Sequence, residues 1–385
     1  MKKKLLILAV TGLALASCSN DQTVAVNQND SNEISFRTLV DGTTRTAGPK
    51  AGGTNFVVGD VINVYADLYD ASATSHSKYF QADFTKQSTG GFTSSNKYYW
   101  PTFDTGDKLT FTAIYGATQK ADNPGIIDDY APAAAAASQM DVMIAKKEET
   151  AKEPSVVLNF RHTLSQIVVN VKNTDANLDF DITGVRIGYL STQGDFAYDG
   201  GVTTSQEADG HTTPTNTLVE ANDWTPEAVT DANTNKYDQT WSAQALTGEQ
   251  DATALTGFAP WLLIPQTQTG FLAYTSGTKV TPASANPVVN GAYIALELEI
   301  YNYNAGVRGS KLVAKQWCYW PISPTWNPGY KYIYTVDLAG GGYQPGNVDD
   351  SVATTLDKVL GDVIVFSPDC TVDYWVTPAA NNVTM

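Results

Sequence analysis

Apolar and polar residues alternate along most of the chain. In "LELEIYN" (296–302), Leu296, Leu298 and Ile300 fall on one side of an extended backbone, and Glu297, Glu299 and Tyr301 on the other. This is the pattern of a strand with one wetted face. "KLTFTAIYG" (108–116) places Leu109, Phe111, Ala113 and Tyr115 on one face. "GDVINVYA" (59–66), "VVLNFRH" (156–162) and "SQIVVNVKN" (165–173) read the same way, the last two close enough to be continuous or to pair as neighbours. "NPGYKYIYTVDL" (327–338) opens on Pro328-Gly329, a type II turn pair, then lines Tyr330, Tyr332, Tyr334, Val336 and Leu338 along one face. "GDVIVFS" (361–367) and "TVDYWV" (371–376) predict two closing strands. Asp41-Gly42 and Asp199-Gly200 predict turns. Near the other end, "EISFRTLV" (33–40) predicts a first strand with Ile34, Phe36, Thr38 and Val40 on one face and Ser35, Arg37 and Leu39 on the other.

A helical period is nearly absent. "YAPAAAAASQMDVMIAKKEE" (130–149) carries an alanine run, but Pro132, Asp141 and the lack of an apolar stripe predict a connection with short helical character. The span 200–250 is rich in Thr, Asn, Asp and Ala and predicts long loops. Frequent strand signals without regular helices predict an all-β fold built of β-sandwiches. A chain of 385 residues has room for two tandem domains. They are expected at 33–173 and 174–385, because a strong strand gives way to "TDANLDF" after Asn173.

The first 17 residues change the picture. Lys2, Lys3 and Lys4 precede an apolar run, "LLILAVTGLALA", too short to span a bilayer and of the kind found in export signals. The run ends in "LASC" (15–18). Small residues before a cysteine are the bacterial lipoprotein pattern, which predicts cleavage between Ser17 and Cys18 and acylation of Cys18; the other reading is an ordinary secretory leader with a chance cysteine. Several acyl chains on one cysteine would anchor far better than the single chain that binds only marginally. Residues 18–32 are polar and predict a tether. Loss of the leader takes the formal charge from −16 to −19, which argues against nucleic acid or anionic lipid as a partner held by charge.

Candidate chemistry is sparse. His76, His162 and His211 do not pair at ligand spacing, and Cys318 and Cys370 form no CxxC, so no zinc or other metal signature and no cofactor motif is present. There is no G-x-S-x-G elbow and no Gly-rich loop between strand and helix. Cys318 and Cys370 either form one disulfide, worth roughly 3–4 kcal/mol for a loop of about 50 residues, or stand as two buried thiols. His162 reads as a hydrogen-bonded residue at a strand end rather than a catalytic base. No acidic pair stands out as the carboxylates of a glycosidase, and no enzymatic role is expected. The aromatics of "KYYWP" (97–101), Tyr98, Tyr99 and Trp100, and of "QWCYWP" (316–321), Trp317, Tyr319 and Trp320, either fill a sandwich core and its rim or stack on a glycan, for which Trp100 and Trp320 are the residues to test.

Taken in order, "EISFRTLV" with "TRTAG", "FVVGDVINVYA", "YYWP", "KLTFTAIY", "QMDVMIA", "LNFRHTLSQIVVNV", "WLLIPQ", "WNPGYKYIYTVDL" and "TVDYWV" resemble the fimbrillin family of Bacteroides-type bacteria, the Mfa-like and FimA-like subunits of type V pili. The resemblance covers nearly all of the chain after the leader. It implies two β-sandwich domains of transthyretin-like topology. It also implies export to the outer membrane as a lipoprotein held by the Cys18 lipid, followed by cleavage of the loop after the first strand by an Arg- or Lys-specific protease. Carried onto this chain, Arg45-Thr46 is the cleavage position, with Lys50 second, and "EISFRTLV" is the strand that leaves. A strand of another pilus subunit then fills the groove. Burial of Ile34, Phe36 and Val40 is worth roughly 5–9 kcal/mol together, so a vacated groove would hold a replacement firmly. Candidate donor anchors lie near the C-terminus, Val363, Val365, Val372 and Tyr374, with Ile364, Phe366 and Trp375 on the opposite faces. The expected protein is a surface-exposed structural or tip subunit with host protein or glycan as a further partner. The alternative is a lipid-anchored glycan-binding protein that keeps its first strand and does not polymerise.

Overall fold

Strand alternation dictates the fold. The computed structural model describes residues 32–40, 56–71, 76–88, 90–198, 219–229, 235–270, 291–339 and 369–374, with backbone alone for 39, 40 and 369–374. In its first half the strands are β1 (Phe36–Val40), β2 (Val61–Tyr69), β3 (His76–Lys86), β4 (Phe92–Thr93), β5 (Lys108–Tyr115), β6 (Ile126–Tyr130), β7 (Met143–Glu149) and β8 (Val156–His162). Seven of them close on themselves in the order β1-β4-β3-β2-β5-β7-β8. Their inward residues, among them Ile34, Phe36, Val64, Phe84, Phe111, Leu158 and Phe160, form one buried core.

The second half contains β9 (Ser165–Asn173), β10 (Leu178–Gly188), β11 (Gly194–Ala197), β12 (Trp224–Pro226), β13 (Lys236–Thr247), β14 (Gln250–Ala254), β15 (Trp261–Leu263), β16 (Tyr293–Asn304), β17 (Val307–Pro321), β18 (Tyr330–Asp337) and β19 (Asp369–Tyr374). One sheet runs β13-β10-β16-β17 and a second β14-β9-β18-β19, with β15 also on β9. A second core lies between these sheets, with Ile167, Val169 and Val171 of β9 facing Phe180, Ile294 and Leu296 of the other sheet. The two cores therefore change over between Phe160 and Ile167. A small sheet, β12-β11-β6, covers Ile114 and Ile144 on the outside of the first barrel. The fold is all-β in several sheets, as the alternation predicts.

Two expectations are corrected. The segment 130–149 is a connection with short helical character only ahead of Met143, where it holds the 3-10 turn Ala136–Ser138; from Met143 it is a strand, β7. Its inner residues Met143 and Ala145 alternate with Ile144, which is buried on the other side, so a strand covered on both faces shows no stripe. The span 200–250 is not loop throughout. It holds β12 and the twelve-residue β13, which pairs along β10 from Asp179↔Thr247 to Gly188↔Lys236. Partnering by β10, rather than any apolar alternation of its own, makes "KYDQTWSAQALT" a strand.

Candidate functional site

The site is the slot that β1 occupies. β1 runs parallel to β8, from Phe36↔Val156 to Val40↔Phe160, and meets β4 antiparallel at Phe36↔Phe92. Just before it, Glu33 bridges Tyr99. The Ile34 amide donates to the Tyr98 carbonyl (2.7 Å), the Trp100 amide to the Asn32 carbonyl (2.8 Å) and the Val156 amide to the Ser35 carbonyl (2.8 Å). β1 is thus bonded on both sides, and its removal would unpair two edges.

The side chains make the slot specific. Ile34 is 3% and Phe36 0% exposed. The Phe36 ring stands edge-on to Phe84 at 4.8 Å and to Phe111 at 5.3 Å, the favoured arrangement for aromatic pairs. Phe80 stacks on Tyr98 at 4.2 Å beside the Ile34 end. At the other end Phe56 touches Phe92, Tyr115 and Phe160 at 5.2–5.4 Å. Outside, Lys97 Nζ donates to Glu33 Oε2 (2.9 Å) and Ser35 Oγ to the Pro154 carbonyl (3.1 Å). The alternation of the first strand exposes this seat in the sequence for Ile34 and Phe36. Phe84 was not legible, because β3 is mostly exposed or half-buried, with Phe80 and Phe84 its only fully buried residues.

β8 ends on His162, whose Nδ1 lies 2.5 Å from Asp141 Oδ2, with both side chains buried. Burial raises the Asp141 carboxyl above its ordinary pKa, opposed by the adjacent His162. Gly116 has φ +80°, and a Cβ there would lie 1.8 Å from the Asp141 carbonyl oxygen, so only glycine lets this segment pack so closely. The pair is a structural anchor where the chain leaves the barrel, as the sequence suggests for His162.

The remaining predicted residues divide cleanly. Val372 and Tyr374 lie on β19, which pairs antiparallel with β18 in the register Tyr332↔Val372 and Tyr330↔Tyr374. Ser17, Cys18, Arg45, Thr46, Lys50, Val363, Val365, Ile364, Phe366 and Trp375 lie outside the described residues, as do the side chains of Val40, Val372 and Tyr374. Among the described side chains, which do not include that of Cys370, Cys318 is a free thiol, its pKa pushed up to about 12 by burial. Trp100 and Trp320 are each 4% exposed. They fill the first and second cores respectively, so neither offers a face to a sugar. Among the described residues, no group of three or more His, Cys, Asp and Glu side chains is placed to hold a metal ion.

The profile of a fimbrillin-like family matches residues 44–355. A fimbrial protein from Bacteroides vulgatus is similar in structure, with a TM-score of 0.50 and 13% identity over 89% of this chain and 99% of that one. At that identity the likeness speaks for the fold. A fimbrial assembly protein from Parabacteroides distasonis aligns over 79% of this chain and 90% of that one, with a TM-score of 0.34 and 11% identity. No curated protein matches the chain.

Proposed function

The chain belongs to the fimbrillin-like family, and from that premise we propose that it is a fimbrial subunit assembled at the cell surface by strand exchange at the β1 slot. The observation that carries this reading is the placement of β1. It precedes every other described strand and is hydrogen-bonded on both sides. Its Phe36, with Ile34 just ahead of it, fills the barrel. A strand at the start of the fold is released by one cut. In the sequence that cut falls at Arg45-Thr46, between β1 and β2. Arg37, whose side chain is exposed, has its backbone inside the ladder with β8, so it is a poor protease site while the barrel is closed.

In this reading the precursor is exported through the leader, anchored at the outer membrane by acylated Cys18, and released from that anchor when the segment before Thr46 is lost. The incoming strand comes from the C-terminal region of a neighbouring subunit. The two buried cores support a reading as two domains of transthyretin-like order. The non-polymerising glycan-binding alternative is left with less to bind by, because Trp100 and Trp320 are core residues and Tyr99 is the well-exposed member of its cluster.

Limited trypsin digestion of the full chain tests the proposal. The expected result is one early cut after Arg45 and, once the clipped strand is released, oligomers in ladder steps. A cut chain that loses the strand and stays monomeric overturns it. On the native cell surface the first residue should be Thr46; Cys18 throughout would mean a permanent anchor.

A further inference from the structure

We propose that the β1 slot selects its occupant through the seat of Phe36, and that the segment of this chain which fits is Ile364-Val365-Phe366 of a second copy. The inference rests on the strand-exchange reading above and adds which chemistry the slot accepts. The seat is walled by two rings, Phe84 and Phe111, each edge-on to Phe36, and it is closed to solvent. Two residues earlier sits an aliphatic, Ile34, also buried. The slot therefore asks for an aliphatic, one spacer, and an aromatic without a polar tip. A smaller side chain in the second position would leave a ring-sized void. A tyrosine would bring a hydroxyl between Phe84 and Phe111, neither of which can hydrogen-bond to it.

The sequence narrows the source. Ile, Leu or Val two residues before Phe occurs at 34–36, 109–111, 158–160, 178–180 and 364–366. The first is the opening residue of β1 with the two residues before it. Leu109 and Phe111, Leu158 and Phe160, and Leu178 and Phe180 are all buried within β5, β8 and β10, so those segments cannot be lent without unfolding their own cores. Ile364-Val365-Phe366 is left, and it repeats the isoleucine of Ile34-Ser35-Phe36 as well. The other C-terminal candidate, Val372-Asp373-Tyr374, has the spacing but carries the hydroxyl.

Two consequences follow from position. Only Ser367 and Pro368 separate Phe366 from Asp369, the first residue of β19. A copy that lends Ile364–Phe366 must therefore release β19 from β18. Pro368 would fall where Thr38 pairs with Leu158. Lacking an amide N–H, it would end the inserted strand there.

The test uses the full chain clipped by trypsin after Arg45 and given a brief urea pulse to release the strand. Labelled peptides are then titrated, spanning 32–39, 361–368, 361–368 with Phe366→Ala, and 370–377. The expected order has 32–39 and 361–368 binding, the Phe366→Ala peptide weaker by at least about 100-fold, and 370–377 weaker than 361–368. Equal binding of the Phe366→Ala peptide, or 370–377 binding as tightly as 361–368, overturns the proposal while leaving strand exchange standing. Failure of every peptide, 32–39 included, overturns the slot itself and the proposed function with it.

Discussion

β1 and β19 are both short strands near the ends of the described chain, and they are held in different ways. β1 lies between β4 and β8, and its side chains complete a closed barrel. β19 pairs with β18 and, among the described strands, with nothing else. Removing an edge strand shortens a sheet and leaves one row of backbone groups, which water can satisfy. Removing β1 opens two rows and a pocket that was dry, where unpaired groups are costly. A vacancy that recognises a particular strand can arise at the first position and not at the second. An edge strand, in turn, can be released at small cost. On the strand-exchange proposal, the first position suits an acceptor and an edge strand does not.

The sharpest way to break this comparison is Phe36→Ala in the full chain. Emptying a fully buried ring site costs about 3–5 kcal/mol, expected as a loss of that size in urea unfolding followed through the first core. A loss under about 1 kcal/mol would mean the barrel closes over the gap, and β1 would be no more a keystone than β19. Ending the chain after Leu338, which removes β19, is expected to cost less than Phe36→Ala. Hydrogen exchange should then show amides of β18 losing protection while those of β8 keep theirs. Loss of protection in β8 would tie the two strands together and end the contrast.

The same contrast explains what the sequence could and could not reveal. Ile34 and Phe36 were legible because β1 has one face in the core and one face out, so period-two alternation survives. β9, β16 and β18 were legible for the same reason. β7 was not, because both of its faces are covered. β13 was not, because its residues are mostly half-buried or exposed and it is a strand through its partner. The turn before β18 was readable from chemistry alone: Gly329 takes φ +77°, the positive angle a type II turn demands. The parallel pairing of β1 with β8 was illegible, since alternation fixes which face is buried and not which neighbour is bonded. The Phe84–Phe111 seat needed that topology before it existed as a site.

A smaller effect probes the far end of the slot. Phe160, opposite Val40, is followed two residues later by His162, which is buried against Asp141. The other ionisable neighbours that act on or feel this carboxylate are Tyr115 and Tyr130, both held neutral by burial. Because burial raises the Asp141 pKa in the folded state, the folded chain holds this proton more tightly than the unfolded one. Its favourable contribution is therefore full below the unfolded carboxylate value near ~4 and lost as pH rises through the folded value. Asp141→Asn removes that titration. The stability of the native chain minus that of the variant should fall as pH rises from about 4 through the weakly acidic range, read from urea midpoints. A difference that is flat, or that rises with pH, would show that His162 rather than burial governs the carboxyl.

The smallest effect is expected next to the largest, within the segment that ends in β1. Glu33 and Lys97 make an ion pair at 2.9 Å, with side chains 34% and 66% exposed. Exposed pairs gain little over their hydrated partners and are screened by salt. The adjacent Ile34 has no such alternative, since its side chain leaves water altogether. Glu33→Gln should therefore leave the unfolding midpoint unchanged at both low and high salt, while Ile34→Ala lowers it clearly, a loss of stability of about 2–5 kcal/mol on the scale of buried aliphatic truncations. If the two substitutions proved equal, β1 would be fastened by its charged mouth instead of its apolar seats. A slot fastened that way would accept any strand with a suitable acid at its start, and the aromatic requirement drawn from Phe84 and Phe111 would not hold.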